Sequence, residues 1–273
     1  MPAPLPISCF IIAKNEADRI GRTLAAVRDL AAEIIVVDSG STDGTQAIAE
    51  AAGARVVFNE WPGFGQQKRF AEAQCRHDWI LNVDADEVVS APLADEIRAL
   101  FSSGAPDKAG YWIDDLVVYP GWTRPRLFAR DHRFIRLYDR RRIRFKDSTL
   151  FDSVDAKGQP TGRLSAPLHH FAVRSLDDLI TKCDERATYN AANARRKSPS
   201  LLALRIVTEL PLQFFKYYVW RTHVFGGLTG FQFAAITAFY RWVRIVRMRE
   251  GAARAVEMNA VGRRGAGAER ERD

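Results

Sequence analysis

Apolar and polar positions alternate along roughly the first 90 residues in a pattern that predicts strands and helices in turn. Short apolar runs rich in β-branched residues predict buried strands at residues 7–13, 33–38, 54–58 and 78–83. Between the first two runs, Ile20, Leu24 and Val27 recur at the spacing of one helix face. The repeated order of strand and helix predicts a doubly wound, mostly parallel α/β sheet.

Acidic or amide side chains stand at the carboxyl ends of three of these strands. Asn15 and Glu16 follow the first strand, Asp38 ends the second, and Asp84 and Asp86 follow the fourth. Each group alone is typical of a turn. Parallel strands of an open sheet direct these ends to one crevice, however, so we expect a common polar site. Carboxylates spaced like Asp84 and Asp86 can hold one divalent cation beside a phosphate.

Composition narrows the class of protein. A hydrophobic content of 47% over 273 residues is that of a globular chain. Three widely separated cysteines predict neither a disulfide framework nor a zinc site, and they favour a reducing cytoplasm. The N-terminal apolar run lacks a preceding basic segment, so we expect no signal peptide.

The net charge of +7 predicts an anionic partner. The acidic residues at the strand ends argue against nucleic acid as this partner, because they would repel its phosphates.

Four blocks carry a family resemblance: Ala13–Glu16, Ile34–Thr45, Trp61–Lys68 and Leu81–Glu87. They resemble, in order and spacing, the family 2 glycosyltransferases of the GT-A fold. Within that family, the chain is similar to the lipopolysaccharide core β-glucosyltransferase branch. The resemblance implies a UDP-sugar donor, an Mg²⁺ or Mn²⁺ cofactor, and inversion at the anomeric carbon. It also implies a lipid-linked saccharide acceptor, with the lipopolysaccharide inner core as the leading candidate and glucose as the favoured sugar.

The resemblance assigns nucleotide-binding roles to residues of the first three blocks. Ala13, Asn15 and Glu16 are expected to line the nucleotide side of the crevice. Asp38 is expected to accept a hydrogen bond from a uracil N–H or a ribose hydroxyl. Lys68 is expected to approach the base or the pyrophosphate. The alternative for Asp38 is a turn cap, and the alternative for Lys68 is a solvated helix residue.

The same resemblance implies a metal site at the fourth block. Asp86 is expected to ligate the metal that bridges the diphosphate, and Asp84 to lie near the ribose and the metal. The segment that ends in His169 and His170 is similar to the closing strand of the family. His169 or His170 is therefore either a metal ligand, a residue that faces the acceptor, or a packing residue.

An inverting transfer requires one general base. The resembled branch carries this base after an Arg-Leu-Tyr strand, often in a His-Glu pair. Here Asp152 stands at the position of the Glu and Phe151 at that of the His, and Asp147 is the rival base. Because Asp152 is shorter than Glu, a membrane-associated nucleotide-sugar-binding protein with lost or altered transferase activity remains the alternative function.

Basic residues are concentrated between these two regions. Residues 133–138 alternate basic and apolar side chains, which predicts a half-buried strand. Residues 140–144 add four arginines to what we take as a sheet edge. They form either a solvated edge strand or a site for diphosphate or an anionic acceptor.

Composition changes after Val173, where a helical region begins. Residues 222–240 contain no Asp, Glu, Lys or Arg, but glycines and polar residues interrupt them, and aromatic and Arg residues flank them. This pattern favours an anionic membrane surface over a buried subdomain or a true span. We predict a catalytic domain at 1–174, a helical, membrane-interfacial region at 175–250 and a disordered tail at 251–273. The expected location is the cytoplasmic face of the inner membrane.

Overall fold

The structure, a computed structural model, describes residues 3–149, 152–194 and 198–270, the last 19 of these as backbone only. The chain forms two compact units, which we describe separately. The N-terminal unit comprises Met1–Val118, Trp122–Pro125 and Arg130–Ala172. The C-terminal unit comprises Tyr119–Gly121, Arg126–Ala129 and Val173–Asp273. The division into two units does not test the predicted domain limits at 174 and 250, which stay a prediction.

The N-terminal unit begins with the predicted alternation of strands and helices. Its first elements are β1 (Leu5–Ala13), α1 (Ile20–Val27), β2 (Ala31–Asp38), α2 (Thr45–Ala51), β3 (Arg55–Phe58), α3 (Phe64–Gln74) and β4 (Trp79–Asn82). In the part of this unit that the structure describes, seven further strands and one further helix follow. They are β5 (Glu87–Val89), α4 (Ala91–Leu100), β6 (Gly110–Val117), β7 (His132–Asp139), β8 (Arg144–Phe145), β9 (Val154–Asp155), β10 (Thr161–Arg163) and β11 (Leu168–His170).

One mixed sheet organises this unit. Within the described residues, its strand order is β3-β2-β1-β4-β7-β6-β11-β5, with β10 paired to β6. Strands β1 to β4 are parallel, whereas β7 is antiparallel to both β4 and β6. Ala13 pairs with Asp38, and Phe10 pairs with Asn82, so β1, β2 and β4 end at the same edge of the sheet. The expected α/β fold of GT-A type is confirmed.

Apolar side chains pack on both faces of the parallel strands. Ile7, Cys9 and Ile11 of β1 join one buried cluster, and Phe10 joins the cluster on the opposite face. A strand covered on both faces reads as a continuous apolar run rather than an alternating one. This burial explains why the sequence pattern located these strands well.

The predicted edge strand is not at an edge. Strand β7 is hydrogen-bonded to β4 on one side and to β6 on the other, and its residues 135–139 are all buried. The expectation of a solvated edge is therefore wrong for β7. The buried arginine of this strand, Arg136, must find partners within the protein, because an unpaired buried charge is costly.

The C-terminal unit is helical, as expected. Its elements are α5 (Leu176–Ala192), α6 (Pro199–Phe215), a π-helical turn (Lys216–Trp220), a 3₁₀ turn (His223–Gly226) and α7 (Gly227–Arg270). The Ser175 and Ser198 hydroxyls cap α5 and α6 by accepting from the backbone N–H groups of Asp178 and Leu201. No helix within the described residues is both long enough and apolar enough to cross a membrane.

The backbone of α7 continues as helix to Arg270, where the sequence predicts a disordered tail. This segment is rich in Ala and Arg, which have high helix propensity, and in Gly, which has low helix propensity. Its local helix propensity is therefore mixed, and the predicted disorder stays a prediction.

Candidate active site

A cleft of about 310 Å³ opens where β1 and β4 end. Five of the predicted site residues lie together in its wall: Ala13, Glu16, Asp84, Asp86 and Asp152. The remaining lining residues add one histidine, two aromatic side chains and a lysine, together with two apolar positions: Ile12, Lys14, Trp61, Phe64, Ala85 and His170. The structure therefore brings the candidate base and the acidic pair into one cavity.

Lys68 lies beneath this cleft and joins two of its carboxylates. The lysine comes from α3, and its side chain is completely buried. Its Nζ is 2.8 Å from Asp84 Oδ1 and 2.8 Å from Asp152 Oδ2. The ammonium also lies 5.5 Å from the centroid of the Phe145 ring. Lys68 thus connects α3, the end of β4 and the segment between β8 and β9, and it does not lie on a solvated helix face.

Arg136 neutralises the other side of the same acidic group. Its Nη1 donates to Asn82 Oδ1 at 2.8 Å, and its Nη2 donates to Asp84 Oδ2 at 3.1 Å and to Glu87. Burial alone would raise the pKa of Asp84, but the charges of Lys68 and Arg136 outweigh burial and hold that pKa well below its usual range. Asp84 is therefore ionised and held on both sides.

His170, rather than His169, is the histidine beside Asp86. Its Nε2 lies 3.5 Å from Asp86 Oδ2, and its Nδ1 lies 3.0 Å from Asp115 Oδ2. Burial would lower the pKa of His170, but hydrogen bonds to Asp115 and Asp86 raise it to about 11. Arg19 Nη1 is 3.3 Å from the same Asp86 oxygen. Two cations thus hold Asp86 in the cleft.

His169 is half-buried one residue earlier on β11. Burial and the charge of Arg124 lower the pKa of His169, so its imidazole is neutral at pH 7. Neighbouring residues of a strand point to opposite faces of the sheet. The structure therefore brings His170, and not His169, together with Asp86.

Asp38 and Asn15 are engaged by the loop after β2. Asp38 Oδ1 accepts from the backbone N–H groups of Gly40 at 2.9 Å and Ser41 at 2.8 Å, and from Gln46 Nε2 at 2.6 Å. Asn15 has φ of 57°, and its Oδ1 accepts from the Thr42 N–H at 2.9 Å. Burial would raise the pKa of Asp38, but a hydrogen bond from the Ser41 hydroxyl, together with these three, keeps that pKa below its usual value. Both residues therefore order the loop, and their nucleotide-binding roles stay predictions.

Asp147 does not lie in the cleft that contains Asp152. It is exposed and lines a separate basic depression with side chains that include Arg142, Lys146 and Lys157. Phe151, which stands where the resembled branch has its histidine, lies outside the described residues.

The described residues offer ligands that suit a divalent cation. The ligand atoms of Glu87, Asp115 and His170 lie within 4.8 Å of one another. Within the described part of the chain, the buried Asp115 Oδ1 has no hydrogen-bond partner. Asp86 adds a carboxylate that faces the cleft. Carboxylate-rich donor sets suit Mg²⁺ and Mn²⁺, so the carboxylates of this group fit such an ion, and His170 would join them as a ligand only on losing its proton.

The sequence analysis missed three charged residues of this site: Arg19, Asp115 and Arg136. Arg136 interrupts an apolar run within β7, and Asp115 follows Asp114 between apolar residues of β6. A charged residue inside a strand with buried neighbours needs a partner, and this was the available signal. The sequence could not identify the partner, because the contacts cross from one strand to another.

A doubly wound sheet with an acidic cleft at its carboxyl edge is the architecture of a ligand-binding α/β protein. The chain belongs to glycosyl transferase family 2, whose family model matches residues 8–155. It is 39% identical over 254 residues to an uncharacterized glycosyltransferase of Rickettsia felis, covering 89% of each chain. It is 29% identical over 255 residues to the lipopolysaccharide core biosynthesis glycosyltransferase LpsC of Rhizobium meliloti, covering 86% of this chain and 91% of LpsC.

Among solved structures, two similar chains have TM-scores below 0.5. S. aureus TarS 1–349 is 14% identical with a TM-score of 0.47, covering 90% of this chain and 89% of that one. Glucosyl-3-phosphoglycerate synthase from Mycobacterium tuberculosis, in complex with Mn²⁺, UDP and glucosyl-3-phosphoglycerate, is 27% identical. Its TM-score is 0.33, covering 41% of this chain and 44% of that chain.

Proposed function

We propose that the protein is an inverting, metal-dependent hexosyltransferase that uses a UDP-sugar, with glucose favoured. Its acceptor is a lipid-linked saccharide, and the lipopolysaccharide inner core is the leading candidate. The observation that carries this proposal is the convergence of Asp86 and Asp152 on one cleft at the carboxyl edge of the sheet. The similarity to LpsC, a lipopolysaccharide core biosynthesis glycosyltransferase, supports the acceptor class.

Asp152 is the proposed general base. Its carboxylate lines the cleft and would take the proton of the acceptor hydroxyl as that oxygen attacks the anomeric carbon. Lys68, 2.8 Å from Asp152, fixes the position of the carboxylate. Ala13 and Glu16 would line the nucleotide side of the same cleft. Lys68 acts here through Asp84 and Asp152, rather than by reaching into the cleft.

Asp86, with Asp84 and His170 nearby, would hold Mg²⁺ or Mn²⁺. Asp86 lines the cleft, and its cationic neighbours are Arg19 and His170, whereas Asp84 is bound by the buried Lys68 and Arg136. When bound, the metal would stabilise the negative charge of the departing diphosphate. We propose His170 in place of His169 as the nearby histidine, because His170 is the one in contact with Asp86.

The C-terminal unit is the proposed membrane-binding region, which would place the protein at the inner face of the plasma membrane. Several of its large apolar side chains are at least 60% exposed: Leu204, Val207, Leu212, Phe215, Trp220 and Leu228. Exposed apolar surface of this kind marks an interaction site. The exposed Lys216 and the neighbouring Arg221 supply positive charge beside it, which suits an anionic membrane surface.

A second candidate is a membrane-associated nucleotide-sugar-binding protein without normal transfer. The contact between Lys68 and Asp152 favours this alternative, because the ammonium group already occupies one of the two carboxylate oxygens that would accept the proton. The two candidates agree on donor binding and differ in turnover.

Replacing the base separates these candidates. Asp152→Asn should retain UDP-glucose binding and lower transfer to rough-type lipopolysaccharide by about 10²-fold or more, since proton abstraction is lost. Asp147→Asn is the matched control and should transfer at nearly the wild-type rate. Near-normal transfer by Asp152→Asn would remove Asp152 as the base. Donor binding without any transfer by the wild type would favour the binding protein.

A further inference from the structure

A second cavity lies inside the C-terminal unit, between α5 and α7. Its volume is about 110 Å³. Each helix contributes side chains at the spacing of one face, and Tyr217 of the π-helical turn completes the wall. The lining from the two helices is Cys183, Arg186, Ala187, Asn190, Thr237, Tyr240, Arg241 and Arg244. We call this the arginine cavity, because three of its lining residues are arginines and none is acidic.

Two acids of this unit each have a cationic partner outside the cavity lining. Glu209 of α6 lies 2.6 Å from Arg205, and at the longer distance of 3.7 Å it also pairs with the lining residue Arg244. Asp184 of α5 lies 2.7 Å from Arg247, one turn further along α7. Positive charge therefore exceeds negative charge around the cavity, within the part of the unit that the structure describes.

The crowding of these cations is unfavourable. Burial, and then the charge of Arg241, lower the pKa of Arg244. Arg244 Nε is buried and has no hydrogen-bond partner among the described residues. Arg241 Nε donates to the Tyr217 hydroxyl at 3.1 Å, which leaves the hydrogen of that hydroxyl able to point elsewhere. An anion in the cavity would relieve the repulsion and accept these hydrogen bonds.

We propose that the arginine cavity binds the phosphate monoester of an anionic membrane lipid. The inference rests on the membrane-binding part of the proposed function. Guanidinium groups match phosphate oxygens with paired N–H donors. A single water needs roughly 10–15 Å³ of cavity, so this space has room for a group several atoms larger.

The surroundings favour a lipid over a free phosphate ion. Phe239, next to the lining residue Tyr240, is 45% exposed, and it packs against Trp242 with ring centroids 6.0 Å apart. The same unit carries the exposed apolar side chains described above. A ligand with a phosphate and acyl chains would contact both kinds of surface, whereas inorganic phosphate would contact only the arginines.

Vesicle flotation with the full-length chain tests this site. The wild type is compared on phosphatidylcholine vesicles that contain phosphatidic acid or phosphatidylserine, at matched surface potential. The test variant is Arg186→Gln with Arg241→Gln. The control variant is Arg174→Gln with Arg249→Gln, which removes two exposed charges of the same unit outside the cavity. Arg241→Lys keeps the charge but loses the paired donors, and thermal melting confirms that each variant is folded.

The wild type should prefer phosphatidic acid, and the test variant should bind it about fivefold more weakly than the control does. Binding to phosphatidylserine should be equal for the two variants, and Arg241→Lys should lose part of the preference. Equal binding of phosphatidic acid by test and control variants would overturn this inference alone. Failure of the wild type to bind either vesicle would contradict the membrane part of the proposed function as well.

A competition experiment with inorganic phosphate distinguishes a lipid phosphate from a free phosphate ion as the ligand of the cavity. For a lipid site, millimolar phosphate should compete only weakly with phosphatidic acid vesicles, since it lacks the apolar contacts. If phosphate raises the melting temperature of the wild type but not of the test variant, and vesicle binding does not differ between the variants, the cavity binds a soluble anion. That result would overturn the assignment to a lipid.

Discussion

Arg136 and Lys68 are buried cations that each contact two carboxylates. Arg136 is 4% exposed and bonds Asp84 and Glu87, while Lys68 is fully buried between Asp84 and Asp152. A buried ion pair contributes little net stability compared with an apolar pair of similar volume. Removing one partner is nevertheless costly, because the other charge stays buried without compensation. These residues therefore hold the acidic site together rather than add stability of their own.

Replacing Arg136 should destabilise the fold strongly. In Arg136→Met, Glu87 loses its buried cation, and we expect the free energy of unfolding to fall by about 3–5 kcal/mol. Arg133→Met is the control on the same strand, since Arg133 is 46% exposed and pairs with Asp114. The control should lose less than about 1 kcal/mol. Urea denaturation measures both values, and equal losses would contradict the proposed role of Arg136.

The start of α3 is attached to the segment that leads to Asp152. The backbone N–H of Phe64 donates to Thr149 O at 3.3 Å, and that of Gly65 donates to Ser148 O at 3.0 Å. Gly63 permits this approach: its φ is +130°, and a Cβ there would lie 2.6 Å from Thr149 Cα. Because Phe64 and Asp152 both line the cleft, this contact shapes the site as well as the fold.

Adding a methyl group at Gly63 should disturb this contact. Gly63→Ala should lower the melting temperature and the rate of transfer, because the Thr149 backbone must move. Gly53→Ala is the control: its φ is +86°, and no atom lies within 4 Å of its added Cβ. The control should show only the conformational cost of positive φ, about 1–2 kcal/mol. Similar melting temperatures and similar transfer rates for the two variants would contradict the role assigned to Gly63.

At the scale of the whole molecule, the sequence predicted the parts of the fold that follow from local pattern. Strands β1, β2 and β4 are buried on both faces, so their apolar runs were clear, and the rule for parallel strands placed Asp84 and Asp86 at one edge. Strands β5, β10 and β11 span only three residues each, too few to show a period. Their positions depend on pairing across the sheet.

The choice between His169 and His170 shows the same limit at the site. Adjacent residues of a strand face opposite ways, so a shift of one residue exchanges them. The pairing of β11 with β5 and β6 sets the register, with His170 opposite Glu87 and Val117. Arg136 and Asp115 were not identified for a similar reason, since their partners lie on other strands. Such contacts are tertiary, and a single sequence does not show them.

Metal-dependent donor binding is the central claim, and isothermal titration calorimetry tests it most directly. UDP-glucose, UDP-galactose and GDP-mannose are titrated with and without Mn²⁺ into the wild type, Asp86→Asn and the control Asp107→Asn, whose carboxylate is exposed. We predict that the wild type and the control bind UDP-glucose in Mn²⁺, and that Asp86→Asn binds it at least about tenfold more weakly. Equal binding by all three proteins, with and without Mn²⁺, would contradict the assignment of Asp86 and of the metal.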